Sequence, residues 1–143
     1  MIILDTNVIS ELMRPEPAPQ VARYFRHLDP KDCFLTAITA AELRSGYSML
    51  PAGKRRDDLA QRIEIMLAGP FSSRVLPFDS DASRSYTVVA TGWRASGRSI
   101  SHFDALIASI ALSREATLVT RNVRDFGHCD LPLINPWEEG LPG

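Results

Sequence analysis

A length of 143 residues, 45% hydrophobic and 23% charged, fits one globular domain over residues 1–143 that buries a core without metal or disulfide staples. A net charge of −1 argues against a broad electrostatic grip on nucleic acid, so a phosphate-bearing substrate must be held locally and with the help of cations. No apolar run suits a signal peptide or a bilayer span, and Cys33 and Cys129 have no metal-binding spacing; a reduced, cytoplasmic protein without a membrane segment is expected.

Ile2 to Leu4 reads as a buried strand, and Asp5-Thr6-Asn7 turns into a short apolar segment, Val8 to Met13. Prolines 15, 17 and 19 enforce a non-helical connection. Gln20 to Leu28 is an amphipathic helix with Val21, Tyr24, Phe25 and Leu28 on one face, and Cys33 to Leu35 a short strand. Helices follow over Thr39–Leu50 and Arg55–Leu67, stopped by Pro51/Gly53 and Gly69-Pro70. Arg74 to Leu76 is a weak strand, Ala82–Ala95 and Ser101–Ser113 are helices, Ala116 to Val119 is a strong strand, and Leu133-Ile134 a short last one. Strands alternating with helices predict an α/β fold, a parallel sheet with helices on both faces.

Asp5, Glu42, Asp104 and Asn122 each sit where an apolar run gives way to a helical segment. In an open parallel sheet, side chains just beyond the strands' carboxyl ends converge on the crevice where strand order reverses. Carboxylates gathered there repel by roughly 4 kcal/mol per pair at about 4 Å and an effective dielectric near 20. Protons or a cation must neutralise them. Each residue also has a local explanation: Thr39/Glu42 and Ser101/Asp104 have capping-box spacing, Asn122/Asp125 is a looser version, and Asp5 can cap the segment after the first strand. The apolar surroundings of Asp5 and Asp104 (Leu4, Phe103, Leu106, Ile107) favour the divalent-metal reading, since an uncompensated carboxylate there is costly.

At these residues the chain resembles the PIN-domain endoribonucleases, the VapC and FitB-like toxins of bacterial toxin–antitoxin pairs. The resemblance rests on Ile2-Ile3-Leu4-Asp5-Thr6-Asn7-Val8-Ile9-Ser10, on Thr36-Ala37-Ile38-Thr39-Ala40-Ala41-Glu42-Leu43-Arg44-Ser45-Gly46, and on Phe103-Asp104-Ala105-Leu106-Ile107-Ala108. It continues in Leu118-Val119-Thr120-Arg121-Asn122-Val123-Arg124-Asp125-Phe126 and Asn135-Pro136-Trp137, in order along nearly the whole chain. It implies a PIN-like five-stranded parallel sheet, an acidic pocket for magnesium or manganese, and RNA hydrolysis. Asp5, Glu42 and Asp104 match the family's acidic positions and would be the metal ligands. Asn122 takes the fourth catalytic position, where relatives carry Asp or Asn, which removes one charge and bears on whether a second metal binds tightly. Thr6, Thr120 and Asp125 would orient ligands or hold water around them. The resemblance also implies a homodimer and a cognate VapB/FitA-like antitoxin that occludes the site within a toxin–antitoxin hetero-oligomer.

None of His27, His102 and His128 makes a convincing general base; the resemblance implies attack by a metal-activated water that leaves 5′-phosphate and 3′-hydroxyl ends, with tRNA or rRNA loops as the expected substrate class. Arg44, Arg94, Arg98 and Arg121 are candidates for the RNA backbone; Tyr47 and Trp93 either stack bases or pack in the core or an interface. A haloacid-dehalogenase-like phosphatase or a receiver domain fails, because Asn7 replaces the second carboxylate and no lysine follows Lys54. The alternative is a PIN-like module that binds RNA or protein without cutting, a reading kept open by Asn122.

Overall fold

The computed structural model describes residues 1–98 and 100–138; the expected domain span of 1–143 also takes in Ser99 and residues 139–143, outside the described residues. Five strands, β1 (Ile2–Leu4), β2 (Cys33–Thr36), β3 (Val75–Leu76), β4 (Thr117–Val119) and β5 (Leu133–Ile134), form an all-parallel sheet in the order β3-β2-β1-β4-β5. Helices α1 (Thr6–Leu12) and α2 (Pro19–Arg26), with a 3₁₀ turn at Pro30–Asp32, connect β1 to β2. The β2–β3 connection holds α3 (Ala37–Ser48) and α4 (Lys54–Ala68), and α5 (Ser80–Ser96) with α6 (His102–Ser113) carries the chain back across to β4. The short α7 (Val123–Phe126) leads to β5. Among the described residues no helix is long and apolar enough to cross a membrane.

Side chains alternate across the sheet with the strand period of two. Ile3 and Leu118 point into a core with Val89, Trp93, Ile107, Ile110 and Phe126, from α5, α6 and α7. Leu4, Leu35 and Val119 point to the other face, against Val8, Tyr24, Leu43, Ile63 and Leu67 from α1 to α4. Burial on both faces is why the strands read as unbroken apolar runs. Reversal of strand order occurs between β1 and β4, beside the central strand. Continuing the register of Ile2 with Cys33 and with Thr117 by three residues aligns Thr36, Asp5 and Thr120 in one row across three adjacent strands.

Several helix starts lie upstream of expectation, two because a capping side chain lies there and one because a proline opens the helix. α3 begins at Ala37, and Thr36 is its cap, accepting from the Thr39 N–H at 3.0 Å; Thr39 is therefore inside the helix, and the expected Thr39/Glu42 capping box is absent. α5 begins at Ser80 because Asp79 accepts from the Ala82 N–H at 3.0 Å. α2 starts at Pro19, whose missing N–H costs nothing at the first helical position. Trp93 is a core residue, 4% exposed, and its indole N–H donates to the Asp125 carbonyl at 3.2 Å.

Gly92 brings α5 close to the segment after α7: a Cβ there would stand 2.7 Å from the His128 carbonyl oxygen. Alanine ordinarily strengthens a helix relative to glycine. Here Gly92→Ala forces backbone apart, and we expect a loss of about 1–3 kcal/mol in denaturant unfolding, the usual cost of overpacking; a gain would show that α5 shifts freely.

Candidate metal centre

Asp5 lies one residue past β1 and caps α1, and as a residue it is only 3% exposed. One carboxylate oxygen accepts the Thr6 N–H at 2.8 Å; the other accepts the Thr120 hydroxyl at 2.7 Å and the Asn7 amide at 3.3 Å. Burial raises its pKa, and these three donors oppose the rise. Thr120 comes from the end of β4 and accepts the Asn122 N–H at 3.0 Å, so one hydroxyl ties two candidate positions together.

Glu42 enters from the second turn of α3, where Thr36 has already satisfied the helix start. Its carboxylate accepts the Thr6 hydroxyl at 2.7 Å. Thr6 Oγ1 stands 3.1 Å from Thr39 Oγ1, which is 3.4 Å from Thr36 Oγ1. Because Thr6 commits its one proton to Glu42, the chain is satisfied when Thr36 donates to Thr39 and Thr39 to Thr6. Burial pushes the Glu42 pKa up, the Thr6 bond pulls it down, and the Asp5 charge raises it again.

Asp104 sits in the first turn of α6, below its cap Ser101, which accepts the Asp104 N–H at 3.1 Å. Its carboxyl is pushed up to about 6, first by burial, then by the Asp5 charge, with Ser101 opposing and Glu42 and Asp125 adding smaller repulsions. The surroundings are less apolar than expected, since Phe103 is 49% exposed. Asn122 occupies the cap position of α7 without making a side-chain cap bond, so the looser Asn122/Asp125 capping is absent too.

Asp5, Glu42, Asp104 and Asn122 therefore line one hollow of about 260 Å³, together with Thr6, Asn7 and Ser10. Thr120 is wholly buried behind Asp5, and Asp125 is exposed and acts on Asp104 only through its charge. Asn7 and Ser10 escaped the sequence reading. Asn7 is worth noting, because it joins Asp5 to the Arg121 N–H (3.3 Å); its position two residues after Asp5 was the available signal. Of the arginines singled out, Arg44 pairs with Glu64 at 2.8 Å, and Arg98 donates to the Arg124 carbonyl at 3.3 Å. The Arg121 guanidinium lies 4.9 Å from the centre of the Trp137 ring, and Arg94 is exposed on α5.

All the donors in the hollow are oxygens or amides, the chemistry of a hard cation. Among the described residues no three acidic, histidine or cysteine groups stand close enough to form a ready-made ligand cluster.

The PIN-domain family profile matches residues 2–130. The chain belongs to the PIN-domain family. Within it, the chain sits with the VapC/FitB-like toxins. It is 43% identical over 138 residues to the VapC ribonuclease Y4jK of Sinorhizobium fredii, covering 96% of this chain and 99% of that protein. It is 37% identical over 139 residues to Toxin FitB of Neisseria gonorrhoeae, covering 97% and 100%. The structure of FitAB bound to the IR36 DNA fragment superimposes with a TM-score of 0.91 at 36% identity, over the full length of both chains. The five-stranded parallel PIN sheet and its helices thus agree with the expected fold class.

The raised Asp104 pKa makes a signed prediction. Between the ordinary value of 3.8 and about 6, the folded PIN domain binds this proton more tightly than the unfolded chain, so the group's contribution to stability falls as pH rises through that window. In EDTA, Asp104→Asn should raise the melting temperature at pH 7.5, and the gain should shrink as pH is lowered below about 6. A gain independent of pH would mean that neither burial nor its neighbours' charge strains the Asp104 carboxylate.

Proposed function

We propose that this PIN domain is a magnesium- or manganese-dependent endoribonuclease and the toxin of a toxin–antitoxin pair, acting as one domain over residues 1–143. It hydrolyses RNA phosphodiester bonds, in tRNA or rRNA loops, to 5′-phosphate and 3′-hydroxyl ends. The observation that carries this reading is the shared hollow of Asp5, Glu42, Asp104 and Asn122, three carboxylates of raised proton affinity beside one amide. The ribonuclease name of a relative at 43% identity supports the activity.

Asp5, Glu42 and Asp104 are the residues that would hold the metal. When bound, it supplies Lewis-acid stabilisation of phosphoryl charge and makes water acidic enough to attack near neutral pH. Asp5 is held in a single orientation by Thr120, Asn7 and the Thr6 N–H, so it can present a fixed face to the hollow. Thr6 orients Glu42 through its hydroxyl, and Asn122 offers an amide that does not add to the repulsion. His102 and His128 are exposed and line no part of the hollow, and His27 bonds the Arg23 carbonyl at 2.9 Å. None of the three imidazoles lines the hollow, so a route through the RNA 2′-hydroxyl to a cyclic phosphate would have to draw its general base from the carboxylates themselves.

A VapB/FitA-like antitoxin is the proposed partner, its segment occluding the hollow, with a homodimer and a hetero-oligomer as the cytoplasmic assembly. The DNA-bound FitAB structure supports such a partner. The second reading, a PIN-like module that binds RNA or protein without cutting, is favoured by Asn122, which leaves the hollow one carboxylate short.

An end-group-resolved assay on total tRNA and rRNA, with magnesium, manganese or EDTA, separates the two. Asp5→Asn and Asp104→Asn should each lose at least about 100-fold in cleavage, the scale expected when electrostatic stabilisation of the transition state is removed. Cyclic phosphate ends, or unchanged cutting by a pure Asp104→Asn preparation, would refute the assignment. Manganese at about 100 times its Kd should stabilise the wild type by about 2.7 kcal/mol. Thr6→Val, which deprives Glu42 of its donor, should weaken manganese binding by about 10–100-fold.

A further inference from the structure

The acid hollow is not isolated. A second hollow of about 370 Å³ shares Thr6, Ser10 and Glu42 with it and continues past Met13, Arg14, Leu43, Gly46, Tyr47, Arg55, Leu59 and Ile63. A third, of about 520 Å³, shares Arg55 and Leu59 with the second and ends among Pro15, Lys54, Asp58 and Arg62. Three hollows with shared walls make one groove, acidic at one end and basic at the other.

The basic end is built at some cost to the fold. Lys54, Arg55 and Arg56 open the first turn of α4, the end of a helix where the backbone dipole disfavours positive charge; the cap Gly53 brings no side chain, and Asp57 is the one acid in that turn to set against them. Arg14 is 66% exposed, and the loop that carries it is pinned by the buried Glu11 carboxylate, which accepts the Ala18 N–H at 3.1 Å and meets Arg14 Nη1 at 3.4 Å. Arg62 Nη2 donates to the Met13 carbonyl at 2.6 Å, which fixes the guanidinium at the end of α1 while its other N–H groups stay available. Against these cations the third hollow's lining holds one acid, Asp58. Tyr47 is the one aromatic residue in the lining of the three hollows.

We propose that this groove is the track for single-stranded RNA, with Arg14, Lys54, Arg55 and Arg62 gripping backbone phosphates while the scissile bond lies over the acid hollow. The inference rests on the nuclease reading and deepens it. Cations that hold phosphates and an aromatic side chain on which a base can stack are the two parts from which sequence-indifferent single-strand sites are built, and the groove has both at and beside its basic end. On a chain of net charge −1, the cations concentrated here supply the local grip that overall charge does not. None of these four residues is among the arginines that the sequence singled out; Arg44, Arg94, Arg98 and Arg121 line none of the three hollows.

The test uses the full chain carrying Asp104→Asn and a fluorescein-labelled single-stranded oligoribonucleotide, titrated in magnesium over a series of salt concentrations. Adding Lys54→Gln with Arg55→Gln should weaken binding at least about fivefold at low salt. The slope of log K against log salt should become shallower by about 1.4, since each single-strand phosphate that is no longer neutralised removes about 0.7. Arg84→Gln with Arg114→Gln, which removes cations outside the groove that pair with Asp81 and Asp79, should change neither. Thermal unfolding of each variant verifies that the fold is kept.

Unchanged affinity and slope in the groove variant would overturn the track and leave the nuclease reading standing. So would a groove variant that keeps RNA but loses a co-expressed antitoxin, because the groove would then be a protein-binding surface. No RNA binding by the parent while the wild type still cleaves would confine RNA to the acid hollow and also overturn the track. Failure of the wild type to cleave any RNA would remove the nuclease reading itself, and the track with it.

Discussion

A carboxylate almost sealed from water at the end of the central strand is the constraint around which this PIN domain is arranged. Asp5 is tolerated there because three donors reach it from one neighbouring strand and from the helix that follows. β4 brings the Thr120 hydroxyl, and the start of α1 brings the Thr6 N–H and the Asn7 amide. A strand order that parted β1 from β4 would separate Thr120 from Asp5, which are 115 positions apart in sequence. A buried charge with three donors is acceptable; a buried charge without them is not.

From Asp5 the repulsion spreads outward. Its charge raises the pKa of both Glu42 and Asp104, which are brought within range by α3 and α6. Neither of these acids is spent on its own helix. Thr36 and Ser101 take the caps, so Glu42 is left to Thr6 and Asp104 faces the hollow. The fold thus holds its acids together at a cost in stability, and under the proposed function a divalent cation relieves that cost. This division of labour explains why the sequence spacing looked like capping while the side chains do something else.

Charge is also sorted along the molecule. The groove leaves the acid hollow, passes Tyr47 and ends among cations placed at an unfavourable helix terminus. Arg121, by contrast, is stacked on Trp137 near the other rim, and its backbone is tied through Asn7 to Asp5. A near-neutral chain can therefore hold strongly opposed local potentials, which net charge averages away.

The sequence by itself determined the alternation of strands and helices, since a strand buried on both faces can only be an apolar run and each helix shows its own period. It also determined the four hollow-lining positions Asp5, Glu42, Asp104 and Asn122, because each marks a change from apolar run to helix. Only the tertiary structure decided which threonine caps α3, because Thr36 and Thr39 have equal credentials until β2 is seen to end at Thr36. It also decided that Phe103 faces solvent, that Trp93 packs inside, and that Asn7 bridges Asp5 to Arg121. The groove was invisible in sequence for the same reason. Its walls come from α1, α3 and α4, and what makes them one surface is the packing of helices against a shared sheet face, a relation between distant residues that no local pattern encodes.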